Sequence, residues 1–449
     1  MSLLIRRAAN VDHESKIHDI IGAKEKTSDR ERAGAEMEQD MNYKFIALAV
    51  IALTFLFQTY MEWLEVKSAD RPIPDNVKDI YDAEAYGKWL QYHKEKTRLS
   101  LIRHLASYLF TFILIGGNVY ALIINELSLS GDYAAAIGVL AADMLLCLLY
   151  IIPFEYVDSM IIEQKYGFNR MTKKTFVIDQ IKSVIINLIL IGGLCCLFIL
   201  IHKALGNWLL VVFSVVLFLF LLLIAFLYPI FSKIFNKFEP LPEGELRERL
   251  CRLLEENDCT VKEIKVMDGS KRSSKANAYF SGFGKMKTIV LYDTLIEQMS
   301  ADEIVAVFAH EMGHNKHKDT IKMQLMNIVN IVLMVLVAWA LVSVPAIYPD
   351  FGFAGLNYGF AFLLLSAVCL AFLSPFVGLF SSTLSRRFEY QADRFAAENG
   401  YGPALISALK VLARNSFVCL TPHPLLVKLT YSHPTVSQRI TALMEYKKE

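Results

Sequence analysis

The chain has 449 residues, 54% of them hydrophobic, and a formal net charge of +1. That length would suit two or three soluble domains, but so apolar a composition with a positive mean hydropathy excludes an ordinary soluble protein. Near-neutral charge removes any bulk electrostatic case for nucleic acid, and seven cysteines without CxxC spacing exclude a disulfide framework or a cysteine metal site.

Residues 1–44 carry eight Lys or Arg and no continuous apolar core, so they read as a polar, disordered extension and not as a secretory signal. Met37 and Met41 stand beside Met1 as alternative translation starts. Apolar runs of about 20 residues, the length that crosses a hydrocarbon core at 1.5 Å per residue, then recur. They predict seven spans: Phe45–Leu64, Leu105–Ile124, Ala134–Ile152, Val184–Ile201, Trp208–Ile230, Ile328–Ala346 and Leu356–Phe380. Basic residues crowd the connections at 65–104 and 153–183 and are absent from 125–133 and 347–355, which places the former, with 231–327 and 381–449, in the cytoplasm. The basic extension conflicts with this scheme, because an odd number of spans puts it outside.

The domain organisation is therefore 1–44, spans over 45–230, a polar part at 231–327, spans over 328–380, and a second polar part at 381–449. The two polar parts hold about 165 residues, enough for one domain core. "EGELRERLCRLLEEN" reads as a helix, and "KANAYFSGFGKMKTIVLY" as two short strands around a Gly282–Gly284 turn. The fold class is mainly α: a polytopic membrane protein with a zincin-like domain containing a small β-hairpin.

Chemistry concentrates in "VFAHEMGHNKHKDT". Ser300 and Glu303 form a capping box ahead of Ile304, Val305, Val307 and Phe308, so the motif is helical. His310 and His314 then differ by about 40° in direction and can reach one ion, with Glu311 beside it as the base for a metal-bound water. Catalytic zinc needs a third ligand. Glu389, in "SRRFEYQADRFAAE", is the best candidate, and Asp393 one turn later could accept an imidazole N–H. The plainer alternative for that stretch is a solvated helix face. His317 competes as third ligand, but three ligands on successive turns of one straight helix splay apart, so "HNKHKD" reads as a solvated face. In "TYSHPTVSQRI", His433 and Arg439 suit a donor and a cation near an oxyanion, or equally a turn and a short docking helix. Asn277 and Ala278 lie on a strand able to pair with substrate backbone, or simply with its neighbours.

"AHEMGH", "EYQADRFA", "YSHPTVSQR", "NAYFSGFG" and "EQKYGFNRMT" together resemble the type I CAAX prenyl protease family, over roughly residues 40–445. Nothing in zinc chemistry requires the "GFNRMT" stretch. The resemblance implies a ring of seven helices around a large hydrated chamber, closed on the cytoplasmic side by the zinc domain. It assigns one Zn2+ to His310, His314 and Glu389, the general base to Glu311, transition-state assistance to His433 and Arg439, and peptide holding to Asn277 and its strand. The implied substrate is a peptide or protein ending in a prenylated cysteine plus three residues, which are removed; some members make a further upstream cut. The tail "EYKKE" lacks a dilysine signal and the extension departs from the pattern, so the plasma membrane of a bacterium or archaeon stands beside the endoplasmic reticulum as the location, with lipid as the surrounding partner.

Two other functions fit the residues less well. Quality control would cut misfolded or stalled membrane proteins without regard to a prenyl group. A transporter or scaffold with structural zinc needs an ion path, and Asp143 is the main charge inside the spans.

Overall fold

A computed structural model describes residues 42–259, 261–281 and 288–446. The polar extension, Met37 and Met41, and the Gly282–Gly284 turn lie outside the described residues. The chain enters helix α1 (Tyr43–Ser68) at Asn42, whose side chain accepts the Phe45 N–H. Helix α2 (Ala83–Gly116) is capped by Asp82 and is followed by α3 (Val119–Glu126). The second predicted span, Leu105–Ile124, is thus corrected: the helix starts 22 residues earlier and breaks at Gly117 and Asn118. Gly116 and Gly117 are poor helix formers, and Asn118 takes the left-handed region, with φ 57°.

Helix α4 (Asp132–Tyr156) runs on through a π-helical turn at Val157–Glu163. Helices α5 (Lys173–Leu205) and α6 (Leu209–Phe235) are joined by a tight turn at Gly206–Trp208 and pack on each other. Among the described residues, six helical stretches are long and apolar enough to cross a membrane, and the 52-residue stretch Lys173–Ile224 contains the fourth predicted run and most of the fifth. Large side chains such as Leu149, 70% exposed, face outward along these helices, a surface suited to lipid and not to water. The protein is an integral membrane protein.

Two later helices begin or end far from the apolar runs that predicted them. Helix α10 (Asp319–Ser343) starts nine residues before Ile328. The last stretch comprises α11 (Tyr358–Leu364), a π-helical turn at Leu365–Leu370 and α12 (Ala371–Glu398), which continues 18 residues past Phe380. Between the helices lie two cavities of about 330 and 300 Å³ that share Thr54, Gln58, His104 and Ala371 in their walls. Asp143 lines the larger one and accepts the Tyr120 hydroxyl at 2.6 Å.

The polar parts form one core. A four-stranded sheet of β1 (Phe238–Pro240), β2 (Glu263–Met267), β3 (Ala278–Ser281) and β4 (Thr288–Tyr292) has the order β1-β2-β4-β3. β2 and β4 are parallel, and β3 runs antiparallel to β4 with Ala278 opposite Leu291. Helices α7 (Glu245–Glu256), α8 (Asp293–Gln298), α9 (Ala301–Lys316), α13 (Gly402–Asn415), α14 (Pro424–Thr430) and α15 (Val436–Glu445) complete the domain. Its core joins Leu250 and Leu253 of α7, Ile289 and Leu291 of β4, Val305 and Phe308 of α9, and Ala408 of α13 to Val77 and Ile80 from the α1–α2 connection and Trp89 of α2.

Gly359 of α11 lies against α4 so closely that a Cβ there would meet the Ala136 carbonyl oxygen at 2.3 Å. Gly359→Val should cost about 1–3 kcal/mol through overpacking and lower the unfolding midpoint in detergent. Gly355→Ala, with open space around it, should leave that midpoint unchanged; equal midpoints for all three proteins would contradict the packing argument.

Candidate active site

Helix α9 is started by Ser300 and Glu303, each side chain bonding the other's backbone N–H. One face, with Ile304, Val305, Phe308, Ala309 and Met312, is buried in the domain core. His310 and His314 project on another side, with ring centroids 4.8 Å apart. Glu389 and Asp393 meet them from α12, which carries both carboxylates on one face, one turn apart.

Close approach of α9 and α12 makes this possible. At Gly313 a Cβ would stand 2.8 Å from the Cα of Ala392 and 3.1 Å from the Cβ of Phe395. With no side chain there, ligand atoms of His310, His314 and Glu389 all come within 4.8 Å of one another. His310 Nε2 is 3.5 Å from Glu389 Oε2, and His314 Nε2 is 3.3 Å from Glu389 Oε1. Ligands about 2.0–2.1 Å from a tetrahedral ion stand roughly 3.3–3.4 Å apart, so these separations suit a small metal ion.

The surrounding bonds fit the same reading. His310 Nδ1 lies 2.9 Å from Asp393 Oδ1, and His314 Nδ1 lies 3.0 Å from Asp319 Oδ2. Each Nδ1–H can donate to its carboxylate, which leaves both Nε2 lone pairs facing the cluster. Glu389 Oε2 is buried and accepts no well-aligned hydrogen bond, although Nη1 of Arg439 is 3.2 Å away. Charge gives a further test. Glu311, Glu389, Asp393 and Asp319 face two cations, Arg439 and Lys322, and a divalent metal would balance the remaining negative charge.

Arg439 donates from Nε and Nη2 to Asp393 at 2.8 and 2.6 Å, so its guanidinium is committed to the carboxylate behind His310. His433, whose side chain is 62% exposed, approaches from the open side with Nδ1 2.9 Å from Glu389 Oε1. Burial pushes the Glu311 carboxyl above its ordinary value, against the pull of the His310 and His314 charges. Burial also disfavours a charge on His314, but its hydrogen bond to Glu389 outweighs this and raises the imidazole to about 9. Asn277 and Ala278 stay outside the cluster. Asn277 leads into β3, an edge strand packed on α9 whose first residue is Ala278, and the Asn277 side chain accepts the Ala278 N–H.

Two residues escaped the reading of the sequence. Asp319 lies in the stretch read as a solvated face, yet it is 4% exposed, because Lys318 adopts φ 56° and turns the first residue of α10 back under His314. Arg386 donates to the carbonyls of Val427, Tyr431 and Lys428, and so closes the end of α14 just before His433. His317 is outside the cluster, edge-on to Phe395.

Gly313→Ala must move α12 or α9, since backbone and not a flexible side-chain tip stands in the way. We expect metal affinity to fall roughly tenfold or more while α9 stays helical, measured by metal titration of chelator-stripped protein. The raised His314 value has its own consequence. Below pH 9 the metal-free protein holds a proton on this ring that metal must displace, so affinity should climb up to about tenfold per pH unit toward pH 9 and then flatten for this group. A plateau already reached at pH 7 would contradict it.

Residues 240–447 match the family model for peptidase family M48, and residues 62–237 match that for the CAAX prenyl protease N-terminal region with five membrane helices. A rice (Oryza sativa subsp. japonica) CAAX prenyl protease 1 homolog is 30% identical over 89% of this chain and 97% of its own. CAAX prenyl protease 1 of Saccharomyces cerevisiae is 28% identical over 89% and 95%. The crystal structure of S. mikatae Ste24p superposes with a TM-score of 0.84 at 28% identity, covering 90% of this chain and 99% of that one.

Proposed function

This chain belongs to the CAAX prenyl protease family of M48 membrane metallopeptidases, and from that premise we propose that it is a zinc endopeptidase that removes the last three residues of prenylated CAAX-type proteins. The observation that carries the chemistry is the convergence of two Nε2 atoms and one carboxylate, with an aspartate behind each imidazole. The names of relatives matched over nearly their whole length support the substrate class. Seven spans, with the site facing the cytoplasm, follow from the apolar runs and the loop charges.

In this reading His310, His314 and Glu389 hold zinc. The chemistry zinc supplies when bound is Lewis-acid polarisation of a carbonyl and acidification of a water. Glu311 takes a proton from the attacking water on a carboxylate oxygen and passes it to the leaving amine nitrogen. The raised Glu311 value suits both steps, because the carboxyl can hold a proton between them. His433, on the open side of Glu389, donates to the developing oxyanion. Arg439 supports that state by fixing Asp393, and through it the His310 ring. Asn277, Ala278 and the outer edge of β3 pair with the substrate backbone, and the bilayer carries the prenylated chain to the site.

Glu311→Gln keeps the volume and removes the base, so metal should remain bound while turnover falls by about 10²-fold or more; appreciable turnover by this variant would remove Glu311 from the mechanism. Mass spectrometry with a farnesylated CAAX peptide and its unprenylated twin tests the substrate. Chelator-sensitive loss of three residues, faster from the farnesylated peptide, is expected. Equal cutting of both would point to turnover of membrane proteins at large, and no cutting of either would reject the CAAX substrate.

A further inference from the structure

The "GFNRMT" stretch has no part in the metal chemistry, but its place in the fold is specific. Phe168 to Arg170 lie antiparallel to Arg272–Ser274, the segment that leads into Asn277 and β3. Asn169 and Ser273 form a bridge, the Arg170 N–H donates to the Arg272 carbonyl at 3.0 Å, and the Ser274 N–H donates to the Phe168 carbonyl at 3.0 Å. Side chains fasten the same segment on both sides. Arg272 donates to both Asp179 oxygens of α5 at 2.9 and 3.3 Å and to Asn236, just past α6, at 3.0 Å. Lys275 pairs with Glu163 at 3.1 Å, and Glu163 is itself held by Tyr92 and Lys96 of α2. Phe168 is buried against Tyr92 and Phe417.

We propose that this loop is a positioning device, which ties the approach to the substrate strand to membrane helices α2, α4, α5 and α6 and so fixes where peptide backbone lies relative to the metal cluster. The inference rests on the reading of β3 as the peptide-holding strand. Three membrane-side anchors converge on four consecutive residues, Arg272 to Lys275, only two residues ahead of Asn277. A strand held only by β4 could slide or tilt, and each backbone hydrogen bond to the peptide that is lost in this way weakens binding by up to about tenfold. Arg272, Asp179, Glu163 and Lys275 are therefore positioning residues that act through β3, without touching substrate.

The test uses full-length, metal-loaded protein in detergent or nanodiscs. Arg272→Gln and Asp179→Asn are compared with the exchanged pair Arg272→Asp with Asp179→Arg. KM and kcat are measured on the farnesylated CAAX peptide, and inhibition by acetohydroxamic acid, a metal-directed probe too small to span β3, is measured alongside. For the single variants KM should rise about tenfold, with kcat within about twofold, unchanged hydroxamate inhibition and full metal content, and the exchanged pair should recover much of the loss. Unchanged KM in active variants would overturn the inference alone, as would a parallel loss of hydroxamate affinity and metal, which marks general damage. No turnover of the peptide by the unaltered protein would remove the substrate reading, and the inference with it.

Discussion

Two helices that touch backbone to backbone, α9 at Gly313 and α12 at Ala392, set the spacing on which the metal cluster depends. His310 and His314 lie on one helix and Glu389 on the other, so any change in their separation is felt directly in the ligand distances. The charged groups would not provide this spacing unaided. Four carboxylates gathered at one place repel, and only close packing of the apolar faces beneath them, with Arg439 between Glu389 and Asp393, makes the arrangement tolerable. The contact is thus a packing solution to an electrostatic demand.

Helix α12 runs on from the membrane part, and a short turn at His317 and Lys318 joins α9 to it. Helix α12 is the extension of a stretch that begins at Tyr358, and α10 starts one turn after the last residue of α9. A soluble zinc domain can be imagined hanging from a bundle by linkers. Here Glu389, proposed as the third ligand, stands on the extension of a membrane helix, and Asp319, behind His314, is the first residue of another. A shift of these helices would therefore reach Glu389 along α12, and His314 through its contact with Asp319.

The ligand motif was legible because its spacing is local: His310 and His314 share a helix, and a capping box marks where that helix starts. Glu389 was readable as a candidate only through its residue type and through Asp393 one turn on; its approach to α9 is tertiary. Asp319 gave no periodic signal, since its position depends on a left-handed turn at Lys318, a residue type that does not favour it. The role of Gly313 depends on a neighbour 79 residues away in sequence. Apolar runs located the membrane helices but not their ends. Helix ends follow caps and breakers, such as Asp82 and the Gly117–Asn118 break, and polar helix continues past the apolar part wherever the domain needs it.

The distances along α12 bear on how a lipid-bearing chain can reach such a site. Glu389 stands nine residues beyond Phe380, where the apolar run predicts that the last span ends, or about 13 Å along the helix axis, whereas the interfacial layer outside the hydrocarbon adds only about 5–8 Å. A chain whose lipid stays among the acyl tails must therefore rise past the interface or travel inside the bundle. Inside, the 300 Å³ cavity reaches Ser382, about 10 Å before Glu389 on the same helix, and Thr430 of α14, and joins the walls of the larger cavity at His104 and Gln58. Its lining mixes Phe57, Met61 and Pro375 with Thr54, Glu62 and Ser374. Such a wall can face a hydrocarbon chain on one side and a hydrated peptide on the other, while a purely apolar groove would strip the peptide backbone of its hydrogen bonds. On the proposed reading, the mixed chemistry of a lipid-bearing peptide matches the mixed lining of this cavity.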